Sequence, residues 1–318
     1  MAEDFQERSS LTEVVAAGAE PTDGKRPTIM VVAFEGWNDA GEAASDSVRL
    51  LARLWKAKKV GQIGDDDYYD YQFSRPTVRR NAAGKRIIHW PATRLYRASI
   101  PNSGVDVLLV RGVEPTYRWK AFTGELLTLA EMENVKAVVL VGALLADVPH
   151  TRPIPATMTS EDAHLREVLS AEPATYEGPT GILGVLAETA DSAGLPTVSI
   201  WAAVPHYVGQ SPSPKAALAL LRQLEELLRV SLDVHSVAED AEAWERGVNE
   251  LAGEDPEIAA YVHQLEEAQD ATELPEASGE SIAREFERYL KRRARGGRDG
   301  RDRDGREGYG GNSGDESD

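Results

Sequence analysis

Four near-continuous apolar runs punctuate the first two thirds of the chain: Thr28 to Phe34 (TIMVVAF), Val105 to Gly112 (VDVLLVRG), Val135 to Gly142 (VKAVVLVG) and Thr197 to Val204 (TVSIWAAV). A strand with one wet face alternates apolar and polar residues, whereas a strand covered on both faces has no need to. These four therefore predict a buried, mostly parallel sheet. Between them the apolar period lengthens to that of a helix. Ala43 to Lys56 places Val48, Leu51, Leu54 and Trp55 at three- and four-residue steps, and Arg118 to Glu133, Ser160 to Leu169, Ile182 to Ala193 and Lys215 to Val230 read the same way. Strands alternating with helices predict an α/β fold, a three-layer α/β/α arrangement with helices on both faces of the sheet. Val60 to Ile63, Tyr68 to Phe73, Arg86 to Trp90 and Arg94 to Ile100 are shorter and more polar, and are expected to form an antiparallel extension or flap.

After Asp233 the strand signal stops. His235 to Leu251, Pro256 to Gln269 and Ser281 to Arg293 read as three helices, the last ending in Lys291, Arg292 and Arg293 as a helix C-terminus favours. The expected organisation is a loose, disordered leader over 1–26, an α/β domain over 27–232, an acidic helical region over 233–295 and a disordered Gly/Arg/Asp tail over 296–318. No internal repeat is visible.

Charge sharpens this division. The 318 residues carry a net charge of −18, but Asp233 to Glu280 holds fifteen carboxylates against Arg246 alone, a local −14, so only −4 falls elsewhere. Electrostatic steering belongs to that segment. No basic stripe is seen in the body, which argues against nucleic acid as a partner, since phosphate neutralisation supplies most non-specific affinity. With no cysteine there is no disulfide, thiolate metal site or cysteine nucleophile, and the six histidines show no close ligand spacing. Neither a metal nor a cofactor is expected. The longest apolar run, Ala137 to Ala146, is ten residues where a spanning helix needs roughly 20, so no membrane association is expected. Glu3, Asp4 and Glu7 stand where a signal peptide needs basic residues, which predicts a cytoplasmic protein.

Chemistry is sought where strands end, because ligands of open α/β sheets bind at the carboxyl ends. Glu35-Gly36-Trp37-Asn38-Asp39 follows the first strand; Asp39 is placed to orient a hydroxyl, or else Asn38 or Asp39 caps the next helix while Trp37 packs on a neighbour. His150 and Arg152, past the third strand and flanked by threonines, suit an anion or carboxylate, or else bond backbone carbonyls in a proline-stiffened loop. Thr180 and Gly181 open a helix whose free amides suit an anion, or are only a turn and cap. His206 ends the last strand, close enough in the topology to meet His150, and whether it does is not written in the sequence. There is no Gly-x-Ser-x-Gly elbow, dinucleotide fingerprint or P-loop, and no catalytic residue is assigned.

Four stretches together resemble the PAC2 family of proteasome assembly chaperone-like proteins: Glu35 to Ala44 (EGWNDAGEAA), Gly142 to Pro153 (GALLADVPHTRP), Tyr176 to Ile182 (YEGPTGI) and Trp201 to Tyr207 (WAAVPHY). Ser281 to Leu290 also looks like the ending of bacterial members. The resemblance implies an α/β/α fold related to the nucleoside phosphorylase scaffold and self-assembly, commonly as a trimer. It implies no catalytic residues. Archaeal relatives dock on proteasome α-rings through a C-terminal hydrophobic-Tyr-x motif. This sequence closes on Asp315-Glu316-Ser317-Asp318, with Tyr309 among glycines, so a proteasome role is expected to use another surface. Two functions follow. One is a non-enzymatic assembly or interaction protein, partnered by itself and by proteasome subunits or another protein. The other is a small-molecule binder or enzyme with its pocket among Glu35, Trp37, Asn38, Asp39, His150, Arg152, Thr180, Gly181 and His206.

Overall fold

A computed structural model of the chain describes residues 9–18, 24–64, 66–209 and 212–273. The expected helix at Ser281 to Arg293 and the tail from Gly296 lie outside the described residues. Of the described residues, those up to 266 belong to one compact unit and 267–273 to another.

The four apolar runs become parallel neighbours. In chain order the elements are α1 (Leu11–Gly18), β1 (Thr28–Glu35), α2 (Ala43–Leu54), β2 (Lys58–Ile63), β3 (Thr77–Arg80), β4 (Arg86–His89), β5 (Thr93–Ser99), β6 (Asp106–Val113), α3 (Trp119–Met132), β7 (Val135–Ala146), β8 (Ala156–Thr159), α4 (Ala163–Leu169), α5 (Ile182–Ser192), β9 (Thr197–Pro205), α6 (Pro214–Leu228), α7 (His235–Glu254) and α8 (Pro256–Glu273). The main sheet runs β2-β5-β6-β1-β7-β9-β8. Strands β6, β1, β7 and β9 are parallel, while β5 joins β6, β2 joins β5 and β8 joins β9 in antiparallel pairs.

Alternation along β1 divides the core. Ile29, Val31 and Ala33 face α1, α2 and α6, while Met30, Val32 and Phe34 face α3 and α5. Both sets are essentially inaccessible to water, which is why the strand carries no polar stripe. Each fully buried aliphatic side chain contributes about 1.5–3 kcal/mol of transfer free energy, so this doubled core dominates the stability. Helix α6 buries Leu220, Leu221, Leu224, Leu227 and Leu228 and starts at a Ser213 cap with Pro214 next, a favoured helix opening.

Three sequence expectations need correction. The segment read as a loose leader contains α1, where Ser10 Oγ accepts from Glu13 N (3.2 Å) and Glu13 Oε2 accepts from Ser10 N (2.8 Å). That reciprocal capping box starts a turn whose Leu11 and Val15 enter the core. Tyr68 to Phe73, expected as a strand, is a run of turns: the Asp70 carboxylate accepts from Gln72 N (2.8 Å) and its carbonyl accepts from Phe73 and Ser74. Local bonds of this kind take the amides that a sheet ladder needs. Finally, the body does carry a basic element. Strands β3 and β4 form a separate two-stranded hairpin, outside the main sheet, bearing Arg79, Arg80, Lys85 and Arg86.

Candidate functional site

Parallel strands end together, so the segments after β1, β6, β7 and β9 meet at one edge of the sheet. The nine residues singled out in the sequence all lie along this rim, in two groups.

The first group is built on the turn after β1. Gly36 has φ +126°, open to a residue without Cβ, and the chain folds back so that Asp39 N donates to Gly36 O (3.1 Å). Asp39 is buried, and its Oδ1 accepts from Ala44 N (2.8 Å) and Ser45 N (3.0 Å). It caps α2, the cap account of the two weighed above. Burial raises its pKa above the ordinary carboxyl value, opposed by those same hydrogen bonds. Asn38 ties the turn to its neighbours twice. Its carbonyl accepts from Ala143 N (2.8 Å) on β7, and its side-chain amide lies against Gly181, where a Cβ would stand 2.2 Å from Nδ2. That buried Nδ2 has no hydrogen-bond partner. Gly181 precedes α5, Thr180 is exposed with its hydroxyl over Gly184, and the first free amide of α5, Ile182 N, donates to Glu114 Oε1 (2.9 Å). Glu35 is half-exposed, 4.0 Å from the Arg111 guanidinium. Trp37 does not pack on a neighbour as expected: it is 74% exposed. The β1–α2 turn satisfies the Asp39 carboxylate internally, leaves Asn38 Nδ2 unpartnered, and turns its indole to water.

The second group closes around His150, which is 1% exposed. Tyr207, in the short turn after β9, accepts from His150 N (2.8 Å) and stands 2.7 Å from His150 Nδ1, while His150 Nε2 is 3.0 Å from Asn249 Oδ1 on α7. An amide oxygen only accepts, so Nε2 carries the hydrogen, and in the neutral imidazole that burial favours Nδ1 accepts from the phenol. Burial lowers the His150 pKa below its ordinary value and pushes the Tyr207 phenol up to about 12. Lys215 on α6 donates to His150 O (2.5 Å) and to Glu245 Oε2 on α7 (2.6 Å). Thr151 donates to Glu266, and Arg152 lies 3.2 Å from the same carboxylate on α8. His206 pairs with Asp147 (3.2 Å) rather than with His150; its ring is edge-to-face with Tyr207 and Tyr261 at 5.7 and 5.5 Å. The two histidines meet only through Tyr207, whose ring is 5.7 Å from each.

The structure thus brings all four loops to one rim and gives the residues two tasks. Glu35, Trp37, Asn38, Asp39, Thr180 and Gly181 form the joint between β1, α2 and α5. His150, Arg152 and His206 dock the acidic helices on the strand ends. The groups are joined through backbone, at Asn38, Asp39 and Ala143. Sequence reasoning missed Glu114, Tyr207, Lys215, Glu245, Asn249 and Glu266. Asn249 had a legible signal: with Ala241, Trp244, Glu245, Val248 and Ala252 it falls on one face of α7, the face that packs inward.

Among the described residues no cluster of three metal-ligating side chains occurs, and no helix is long and apolar enough to cross a membrane. Two cavities, of about 320 and 680 Å³, lie at the opposite end of the sheet beside α1. Among the polar groups of the rim, four large apolar side chains are exposed: Trp37, Leu144, Leu145 and Tyr176. A surface of that composition suits contact with a macromolecule.

Comparison with known proteins agrees. The PAC2 family model matches residues 33–252. A crystal structure of a PAC2 family protein from Streptomyces avermitilis is 50% identical, with TM-score 0.70, covering 74% of this chain and 99% of that one. A Mycobacterium tuberculosis proteasome-assembly chaperone homologue is 47% identical, with TM-score 0.67 and the same two coverages, 74% and 99%. The Pyrococcus furiosus archaeal proteasome activator PbaB shares the fold at 16% identity, TM-score 0.59, over 73% of this chain and 96% of its own. No curated protein matches.

Proposed function

The chain belongs to the PAC2 family, and from that premise we propose that it works as a non-enzymatic, chaperone-like assembly protein that self-associates, as a trimer, and receives proteasome subunits on its rim. The observation that carries this reading is the 47% identity, over 99% of its length, to a protein named as a proteasome-assembly chaperone homologue. The rim supports it. Trp37, Tyr176, Leu144 and Leu145 present apolar surface there, the composition of an interface core. The small-molecule reading has no such support, because two of its pocket residues, His150 and Arg152, are engaged by Tyr207, Asn249 and Glu266.

Binding of the full chain to purified proteasome subunits from the same host, followed by surface plasmon resonance, tests it. The wild type is expected to bind saturably, and Trp37→Ala to bind at least tenfold more weakly with little change in thermal stability, since the side chain is 74% exposed. Absence of saturable binding by the wild type would contradict the proposal.

A further inference from the structure

Between Asp70 and Asp106 the sequence has seven basic residues and no acidic one, in a chain of net charge −18. Five of the seven, Arg75, Arg79, Arg80, Lys85 and Arg86, sit on or beside the β3–β4 hairpin, and none makes an ion pair among the described residues. Arg80 and Arg86 stand directly opposite each other across the two strands, a like-charge pairing that costs free energy unless an anion neutralises it. The hairpin also displays Val78, Ile88 and, at its base, Phe73 and Trp90, each more than half exposed. A lone two-stranded hairpin buries too little to be stable by itself, and this one shows solvent an apolar and basic surface on both faces.

The complement of that surface is on the same chain. The joint of α7 and α8 exposes Glu250, Glu254, Asp255 and Glu257 around Leu251, which is 66% exposed, and Ile258. One copy does not bring the two together. The hairpin is inserted between β2 and β5, at one edge of the sheet, whereas α7 is anchored through His150 and Lys215 to the segment between β7 and β8, at the other edge.

We propose that the β3–β4 hairpin of one copy docks on the α7–α8 acidic face of a second copy, the Arg80–Arg86 pair meeting Glu250 and Glu254 around an apolar centre of Val78, Ile88 and Leu251, with Arg79 adding positive charge from the hairpin's other face. The contact is heterologous, hairpin to helix, so successive copies join head to tail and close into a ring where the rotation permits. A second copy is favoured over nucleic acid because the rest of the chain is acidic and repels phosphate. The inference deepens the self-association proposed above and rests on it.

The test is the solution mass of the full chain at micromolar concentration by sedimentation velocity. The wild type is expected at a multiple of 34.6 kDa. Arg79→Glu/Arg80→Glu is expected to weaken association at least tenfold, and it places an opposite charge across from Arg86, so the hairpin is not weakened by it. Glu250→Lys/Glu254→Lys is expected to do the same, and the chain carrying all four substitutions to recover the wild-type mass. A wild type that sediments as a monomer overturns self-association itself. An oligomer whose mass neither pair of substitutions changes, or four substitutions that fail to restore it, overturns only the hairpin contact. So does a hairpin variant that keeps its mass and instead loses binding to a labelled DNA duplex that the wild type holds.

Discussion

Asn38 shows how much one side chain carries at the rim. Its carbonyl fastens the β1–α2 turn to β7 while its amide presses on Gly181, where no Cβ intervenes. Gly181 has ordinary extended backbone, so alanine there suffers only from the contact with Asn38. Gly181→Ala is therefore expected to cost about 1–3 kcal/mol by overpacking. In an Asn38→Ala background most of that cost should vanish, a coupling of about 0.5–3 kcal/mol typical of touching residues, measurable by urea denaturation of the four chains. An additive result would show that the contact is slack. Both residues were legible in the sequence, Asn38 at the turn after an apolar run and Gly181 at the opening of a helix. Their partnership was not, since a hundred and forty residues separate them and only the parallel register brings α5 beside β1. Glu114 was invisible for the same reason: a single acid after a strand has no pattern until the amide of Ile182 supplies one.

Elements tell a similar story. The four buried strands and most helices were readable, because full burial writes itself as unbroken apolar runs and helices as a 3.6-residue stripe. Strands β3 and β8 and helix α1 were not, being short or mostly polar. His150 was misleading in an instructive way. Its placement past a strand suggested ligand chemistry, and the structure uses it to hold α7. Burial keeps its pKa below the ordinary 6.5, so the unfolded chain takes up a proton near that pH while the native chain does not. Its contribution to stability is complete above pH 6.5 and is lost as pH falls through that value toward the depressed native one, with a slope of at most about 1.4 kcal/mol per pH unit. Lys215 lies close by as a repelling charge, with Glu245 and Glu266 opposing it. Comparing the wild type with His150→Gln by urea denaturation at pH 7.5 and 5.5 isolates this group: the wild type should lose the extra stability on acidification. Equal losses in the two chains would mean that α7 is not held by a neutral imidazole.

At the scale of the unit through residue 266, the described charge is distributed as a dipole rather than a uniform coat. An acidic helical face stands at one edge of the sheet and a basic hairpin at the other. Net charge alone concealed the hairpin, because an excess of carboxylates elsewhere outweighs its five cations. If copies join head to tail as proposed, this arrangement would steer them together, and association should then weaken as salt shortens the screening length from about 10 Å at 0.1 M to about 3 Å at 1 M. The apolar rim stays available to a different protein. The account stands or falls on whether the chain assists assembly. A time course of core-particle formation from purified proteasome subunits of the same host, with and without the full chain at equal molarity, decides it. The account predicts faster or more complete assembly with the wild type and a loss of that effect with Trp37→Ala. Identical time courses with and without the chain would contradict it.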